Sequence, residues 1–280
     1  MSYEFIPVAT DQKAIKEIAE LLRTTFPKST KFTDAFIDWQ YNKNPDGKVV
    51  GYNAYENRIL VAHYAAIPLN AKLFGEDEKG LISLNTATHP NHQGKKLFTT
   101  LAELTYILAA QKGYGFVIGV ANANSTPGFV NKLGFQFVGT LDVKLGVGSI
   151  ISSEIKTKIN FVKNWSKELI TWRLANPETK YKIKNNVIYA ATDTVGVEAI
   201  LLNISSDLLW RENEINIGFR PIKLWIGINK SYDWKQSFYF DIPLKMRPSP
   251  LNFIFKDLSS SYGKLELENV HFDAFDFDAY

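Results

Sequence analysis

The stretch from His89 to Lys96 has the highest density of residues that could do chemistry, and its sequence is HPNHQGKK. It stands between an apolar run and a stretch with helical spacing. A loop that leads from a strand into a helix presents free backbone N–H groups at the positive end of the helix dipole. Gly94 lets the backbone approach a ligand closely, and Lys95 and Lys96 add positive charge. The pattern therefore indicates a site for an anionic group such as a phosphate.

Two histidines in the same stretch, His89 and His92, raise the alternative of a metal site. The chain has no cysteine, and no pair of acidic residues lies at ligand spacing from them. A histidine that precedes Pro90 is also explained as the end of a strand, and His92 as a solvated loop residue. We therefore expect no metal here.

The composition is that of an ordinary folded protein. Of the 280 residues, 45% are hydrophobic and 22% are charged, and the formal net charge is +3. The length suits two domains of roughly 140 residues. Because the lysines are dispersed among acidic residues, we expect no nucleic-acid partner. No apolar run approaches the ~20 residues that span a bilayer, and the start of the chain lacks the features of a secretion signal. With the absence of cysteine, this predicts a cytoplasmic protein that does not insert into a membrane.

The elements that must position the loop follow from apolar periodicity. Their predicted order is a strand, two helices, three strands, a helix, a strand, a helix and a strand. The second helix is expected from Thr33 to Tyr41, the strand before the loop from Gly80 to Thr88, and a short late helix from Ser125 to Leu133. The apolar run GFVIGVAN is typical of a strand buried between parallel neighbours.

The second half of the chain repeats part of the first weakly. The segment from Phe36 to Glu56 resembles that from Leu169 to Ala190, since each has a tryptophan in a helix, then Asn-Pro, then a strand–turn–strand pattern. The second segment is not accompanied by a glycine–lysine loop, and an unrelated sheet-rich domain is the alternative explanation. We place the domains at residues 1–148 and 149–280.

Two segments, LNTATHPNHQGKKLFTTLAEL and GFVIGVANANSTPGFVNKLGFQFVG, resemble the acetyl-CoA core of the GNAT superfamily of N-acetyltransferases. That core is a strand, a pyrophosphate loop of the type Q/R-x-x-G-x-G/A, a helix, a splayed strand, an Asn-containing helix and a final Gly-Phe. The order of elements agrees over residues 3–147, and the motifs agree over residues 84–137. The resemblance implies an α/β fold with a mixed, centrally splayed sheet flanked by helices, followed by a second, smaller, sheet-rich GNAT-like domain.

The resemblance also assigns residues to acetyl-CoA as cosubstrate. The loop whose backbone N–H groups would hold the CoA pyrophosphate corresponds to Asn91, His92, Gln93, Gly94, Lys95 and Lys96. The strand segment that would pair with the pantetheine arm, and whose amide would polarise the thioester carbonyl, corresponds to Leu84, Asn85, Thr86 and Ala87. An asparagine after the splayed strand would contact the cofactor, and both Asn124 and Asn122 fit.

Three positions depart from the pattern of the superfamily. Asn91 stands in place of Gln or Arg, and Lys96 in place of a second small residue. The tyrosine that often serves as general acid aligns with Val130, which cannot donate a proton. The acid must therefore come from elsewhere, or the thiolate leaves without one.

Acyl transfer to an amine needs a base or a water path for the amine proton, and a donor for the oxyanion. His63 lies on the long strand beside the cofactor strand, and Asp38 lies on the second helix, which in this superfamily helps to wall the acceptor site. Some members use a C-terminal carboxylate as base, which makes Tyr280 a third candidate. Each has a structural alternative, as a core histidine, a solvated helix residue and the end of a strand that closes the second sheet.

The resemblance implies direct transfer of an acetyl group from acetyl-CoA to a primary amine. We expect an amino sugar or a sugar nucleotide as the acceptor, with a peptide or another small-molecule amine as the alternative. A non-catalytic acyl-CoA-binding or interaction protein is the alternative from a different functional class. It is suggested by Val130 and by the departures at Asn91 and Lys96.

Overall fold

The computed structural model describes residues 2–152, 158–208, 210–213, 215, 218–277 and 279. The α-helices are Gln12–Thr25 (α1), Asp34–Asn42 (α2), Leu97–Gln111 (α3) and Lys167–Leu174 (α4). The strands of the first half are Glu4–Pro7 (β1), Val50–Glu56 (β2), Ile59–Leu73 (β3), Glu76–Thr88 (β4), Phe116–Ala121 (β5), Gln136–Thr140 (β6) and Asp142–Val147 (β7). Those of the second half are Phe161–Lys163 (β8), Tyr181–Lys184 (β9), Val187–Ala191 (β10), Val197–Asn203 (β11), Ile222–Ile228 (β12), Tyr239–Asp241 (β13), Asn252–Asp257 (β14) and Val270–Asp273 (β15).

The order of elements predicted for the first half is confirmed, with a short π-helical segment at Gly128–Lys132 as the late helix. The strand before the loop begins earlier than predicted, at Glu76, because it forms a tight hairpin with β3. The turn places Phe74 at φ 52° and Gly75 at φ 100°. Both are left-handed conformations of the kind that two-residue hairpin turns require.

The first sheet has the order β1-β2-β3-β4-β5-β14-β6, and β4 and β5 are its parallel pair. Their pairing runs from Gly80 opposite Phe116 to Ser83 opposite Gly119, and the two strands separate beyond that point. The predicted mixed sheet with a central splay is confirmed. Next to the point of separation β4 has a bulge, where Asn85 and the residue after it stand opposite a single residue of β3.

Helices cover both faces of this sheet. On one face α1 and α2 bury Ile18, Leu22 and Phe36 in a core that continues towards the second half. On the other face α3 buries Leu97 and Leu101 against β2 and β3. The gap between β4 and β5 therefore opens towards a helical layer on each side. No helix in the described ranges combines the length and the apolar character that crossing a membrane requires.

The second sheet has the order β9-β10-β11-β12-β7-β13, with β11 and β12 parallel, and strands β8 and β15 connect the two sheets between β3 and β12. This is the same order and the same position of the parallel pair as in β2-β3-β4-β5-β14-β6. Between β11 and β12, where the first half has the loop and α3, the described residues form one 3₁₀ turn, Ser206–Leu208. The predicted second, smaller sheet-rich domain is therefore present as a reduced copy of the first.

The two halves exchange one strand each. Strand β14, from the second half, lies between β5 and β6 of the first sheet, and β7, from the first half, lies between β12 and β13 of the second. A boundary between residues 148 and 149 therefore separates the two halves of the chain, but it does not separate the two sheets, because each sheet contains one strand from the other half. That boundary stays a prediction.

The repeated Asn-Pro motifs form equivalent turns. Asn44 Oδ1 accepts the backbone N–H of Asp46 at 3.1 Å, and Asn176 Oδ1 accepts that of Glu178 at 2.9 Å. Each turn leads into a hairpin whose two turn residues have positive φ, namely Asn57 (51°) and Arg58 (64°) in the first half, and Asn185 (50°) and Asn186 (59°) in the second. The repeat seen in the sequence is a repeat of local geometry.

Candidate functional site

The gap between β4 and β5 opens into one cavity on each face of the first sheet. The cavity beside α1 measures about 370 Å³ and will be called the α1-side cavity; its own lining residues are Phe26, Ser29, Lys31, Phe32, Ile82 and Phe277. The cavity on the face of α3 measures about 230 Å³ and will be called the α3-side cavity; its own lining residues are Gly119, Asn122, Ser125, Phe129 and Ile254. Both cavities are also lined by Ser83, Leu84, Asn85, Thr86 and Val120. They therefore meet at the gap.

The loop that follows β4 leaves the start of α3 accessible. Pro90–His92 forms a 3₁₀ turn, Gly94 and Lys96 have φ values of 75° and 61°, and α3 begins at Leu97. Lys96 occupies the cap position without a side-chain hydrogen bond to the helix, and no described atom lies within 4 Å of a Cβ placed on Gly94. The uncapped N–H groups of the first turn and the helix dipole can bind an anion.

The histidines of the loop have structural partners. His92 Nδ1 lies 3.1 Å from Tyr3 Oη and 4.0 Å from Glu56 Oε2, which ties the loop to β1 and β2. His89 Nδ1 accepts the backbone N–H of Asn91 at 3.3 Å. Within the described residues no three His, Asp or Glu side chains are grouped so as to hold a metal ion.

Of the two asparagines after β5, Asn122 lines the α3-side cavity. Its Oδ1 accepts the backbone N–H groups of Asn124 and Ser125 at 3.0 and 2.9 Å, which starts the helical turn that follows. Asn124 is exposed and lines neither cavity. Val130 packs against the core on the α3 face, so this segment offers no tyrosine hydroxyl at the acid position.

His63 belongs to a buried network that also contains Asn53, Tyr41 and Asn85. Its Nδ1 lies 2.6 Å from Asn53 Oδ1, and its Nε2 lies 2.8 Å from Tyr41 Oη. Tyr41 Oη in turn accepts from Asn85 Nδ2 at 3.2 Å. The imidazole is fully buried, and burial lowers the pKa of His63 to about 3. His63 is therefore neutral and reaches the gap through Tyr41 and Asn85, a geometry that does not favour it as the base.

Of the other two predicted bases, Asp38 lines neither cavity. Asp38 accepts a hydrogen bond from Asn42 at 2.8 Å and pairs with Lys43 at 2.8 Å, so its carboxylate serves the end of α2. The hydrogen bonds from Lys43 and Asn42 lower the pKa of Asp38. Tyr280 lies outside the described residues.

A group of hydroxyls next to the gap, formed by Ser83, Tyr64 and Tyr106, was not predicted from the sequence. Ser83 lines both cavities, and its Oγ lies 2.7 Å from Tyr64 Oη, which lies 2.6 Å from Tyr106 Oη. Burial raises the pKa of Tyr64 to about 12, so these groups are neutral. Strand alternation places Tyr64 on the face opposite His63, but it cannot reveal Tyr106 on α3 as the partner.

The α1-side cavity combines aromatic walls with positive charge. Lys31 is the charged side chain among the described residues that line it, and Phe26, Phe32 and Phe277 supply rings. The Lys31 ammonium lies 5.7 Å from the centre of the Phe32 ring. This lining favours a ligand that has an apolar face and an anionic substituent.

The second sheet differs from the first at the corresponding point. Its parallel pair also separates, after Ile200 and Trp225. The segment after β15 packs at this point, because Ala274 and Phe275 are buried in one apolar cluster with Leu201 of β11. The first half therefore holds the candidate site.

Comparisons with known proteins agree with this geometry. Residues 8–138 match the family model described as an acetyltransferase (GNAT) domain, a range that includes β4, the loop and β5. No curated protein matches the sequence.

Three solved structures share the fold over most of the chain. A GCN5-related N-acetyltransferase from Anabaena variabilis ATCC 29413 matches with a TM-score of 0.61 and 12% identity, over 91% of this chain and 73% of that chain. A probable N-acyltransferase from Enterococcus faecalis V583, a conserved protein of unknown function, gives 0.58 and 8%, over 92% and 73%. Eis1 from Mycobacterium abscessus gives 0.58 and 7%, over 92% and 74%. At such low identities these structures show a common fold, and the chemistry must be argued from the residues of the site.

Proposed function

We propose that this chain, which carries an acetyltransferase domain of the GNAT superfamily, moves an acetyl group from acetyl-CoA to the primary amine of an amino sugar or sugar nucleotide. The observation that carries the proposal is the passage through the first sheet. Two cavities on opposite faces meet at Ser83 to Thr86, directly before the loop and the uncapped start of α3. Such a passage lets two substrates meet from opposite sides.

The α3 face is the side on which we place acetyl-CoA. The backbone N–H groups at the start of α3, with Gly94, Lys95 and Lys96, would bind its pyrophosphate. The pantetheine arm would then follow β4 from Ala87 towards Leu84, where β4 no longer pairs with β5. In the α3-side cavity, Asn122 and Ser125 would border the arm.

The reaction we propose is a direct attack from the α1-side cavity. The amine nitrogen forms a bond with the thioester carbonyl carbon, the carbon–sulfur bond breaks, and CoA leaves as the thiolate. In this proposal the amine proton passes to water or to a base outside the described lining of the α1-side cavity. A backbone N–H of the unpaired β4 segment would stabilise the oxyanion.

The choice of acceptor rests on the α1-side cavity. Phe26, Phe32 and Phe277 can pack on a sugar ring, and Lys31 can pair with a phosphate. A sugar nucleotide or a phosphorylated amino sugar carries both groups. We place the reaction in the cytoplasm, in line with a sequence that contains no cysteine.

Calorimetry with acetyl-CoA and CoA, followed by a thiol-release assay, tests the proposal. The amine panel should contain glucosamine, glucosamine 6-phosphate, an aminodeoxy sugar nucleotide, a peptide with a free N-terminus and a polyamine. We expect binding of both cofactor forms and fastest thiol release with a phosphorylated amino sugar or sugar nucleotide. Failure to bind either form would refute the proposal.

A non-catalytic acyl-CoA-binding protein is the second candidate. Val130 favours it, because the segment that borders the α3-side cavity lacks the acid hydroxyl of many members of the superfamily. The same assay separates the two functions. Tight binding of acetyl-CoA without thiol release on any amine would favour the binding protein.

A further inference from the structure

The buried network at His63 extends to the surface of α1. Beyond Asn53 it continues through Tyr55 to the carboxylate of Glu17. Asn53 Nδ2 lies 3.4 Å from Tyr55 Oη, and Tyr55 Oη lies 3.4 Å from Glu17 Oε2. A series of hydrogen bonds therefore joins a carboxylate on α1 to Asn85 at the bulge of β4.

The Glu17 carboxylate determines which groups donate in the hydrogen bonds that join Glu17, Tyr55 and Asn53. An ionised carboxylate can only accept, so Tyr55 must donate its hydrogen to Glu17. Tyr55 Oη is then an acceptor for Asn53 Nδ2, and this turns Asn53 Oδ1 towards His63. Because Asn53 presents an oxygen, the hydrogen of the neutral imidazole must lie on Nδ1.

The position of the hydrogen on the His63 imidazole determines which groups donate in the hydrogen bonds between His63 and the gap. With its hydrogen on Nδ1, His63 offers a lone pair at Nε2, and Tyr41 must donate to it. Tyr41 Oη then accepts from Asn85 Nδ2, and the same amide nitrogen donates to Gln40 Oε1 at 2.5 Å. Both hydrogens of the Asn85 amide are therefore used on the side of α2.

With both amide hydrogens of Asn85 in use, its Oδ1 is left as a hydrogen-bond acceptor at the gap. Its Oδ1 has no hydrogen-bond partner within the described part of the chain, and the residue lines both cavities. The bulge holds the backbone at φ 51°, a conformation that asparagine tolerates better than most residues. The position, the orientation and the hydrogen-bonding character of the amide are thus all set before a substrate binds.

We propose that Asn85 Oδ1 accepts an N–H of the acceptor amine and so directs the nitrogen lone pair towards the thioester carbonyl. Tyr41, His63 and Asn53 act as positioning residues that keep the amide in this orientation. This assignment rests on the proposed function. It explains why a neutral, buried histidine lies near the gap without lining it: its part is to orient Tyr41 rather than to take up a proton.

The direction of the network can be measured without turnover. The chain has four histidines, so the ¹⁵N spectrum of histidine-labelled protein can be assigned with His63→Gln. We expect His63 to carry its hydrogen on Nδ1 and to remain in that form from pH 8 to pH 5. A hydrogen on Nε2, or protonation of His63 in that range, would overturn the orientation of the network whatever the activity of the protein.

Acetyl-transfer kinetics test Asn85 itself. Asn85→Gly removes the amide and tolerates the positive φ, and Asn185→Gly is the matched control because Asn185 has φ 50° in a hairpin of the second half. We expect Asn85→Gly to lower kcat/KM for the amine at least about tenfold while KM for acetyl-CoA changes less than about twofold. Tyr41→Phe should change the same parameter in the same direction, and Asn185→Gly should change neither.

The possible failures are distinguishable. Wild-type protein that transfers no acetyl group to any amine would overturn the proposed function, and the role of Asn85 with it. Wild-type activity that Asn85→Gly leaves unchanged, or a loss that falls equally on KM for acetyl-CoA, would overturn the role of Asn85 alone.

Discussion

Trp39 and Trp172 each donate the indole N–H to the other's backbone carbonyl, at 2.8 and 3.1 Å. Their rings stack with 4.8 Å between centres and 18° between planes, and both are buried. They are the equivalent tryptophans of the repeated segment, on α2 and α4. The two helices therefore join the halves of the protein through a reciprocal pair of hydrogen bonds.

Replacement of either tryptophan should destabilise the whole protein. Trp39→Phe and Trp172→Phe each leave a buried carbonyl without its donor and reduce the stacked area, which we expect to cost about 2–3 kcal/mol in the free energy of unfolding. The double variant should lose less than the sum, since the stacking of the two rings is shared and either change already reduces it. Urea denaturation measures these values. Trp234→Phe, in the aromatic cluster of the second sheet, is the control, and strictly additive losses would contradict the paired arrangement.

A negatively charged side chain at position 94 should weaken the binding of CoA. Gly94→Asn and Gly94→Asp are nearly isosteric, asparagine and aspartate both tolerate positive φ, and no described atom obstructs a side chain there. If the loop binds the pyrophosphate, the aspartate variant should bind CoA at least about tenfold more weakly than the asparagine variant, and added salt should reduce this difference. Calorimetry at two ionic strengths gives both quantities. Gly113→Asp, beyond the far end of α3, is the control. Equal affinity of the two Gly94 variants would refute the assignment of the loop.

The preference for a phosphorylated acceptor should depend on Lys31. Lys31→Gln removes the charge in the α1-side cavity, so kcat/KM for an amine with a phosphate should fall about tenfold, whereas that for an uncharged analogue should change little. Lys28→Gln, in the same segment but outside the cavity, is the matched control. Equal effects on both acceptors would show that Lys31 does not select for charge.

Acid should destabilise the protein partly through His63. The unfolded chain binds a proton at this histidine below about pH 6.5, whereas the folded protein binds it only near pH 3, so stability falls as the pH decreases between these values. At pH 5 the loss is about 2 kcal/mol relative to pH 7.5. Urea denaturation of wild type and His63→Gln at both pH values measures it, because other titrating groups are common to the two proteins. An identical pH dependence would contradict the buried neutral state of His63.

Local patterns predicted the part of the site that depends on the backbone. A glycine–lysine loop between an apolar strand and a periodic helix was sufficient to place β4, the loop and α3, whereas the splay between β4 and β5 was expected only from the resemblance to the GNAT superfamily. The buried network was beyond prediction because its members come from α1, α2, β2, β3 and β4. Asn53 and His63 face each other only through strand register, and Tyr41 reaches them only through the packing of α2.

The strand exchange was also beyond prediction. Strands β7 and β14 each pair with strands that are far away in the chain, so the sheet that each completes depends on long-range contacts. The sequence repeat indicated two similar halves, and it contained no signal for which strand completes which sheet.

This exchange has a consequence for the order in which the protein is made. The ribosome synthesises β4, the loop, α3 and β5 early, but β5 has its outer neighbour only when Asn252–Asp257 has left the exit tunnel. Until then the growing chain presents an open edge at the strand that borders the gap. The first sheet is therefore completed near the end of translation, and a chain that terminates before Asn252 lacks an inner strand of the half that contains the candidate site.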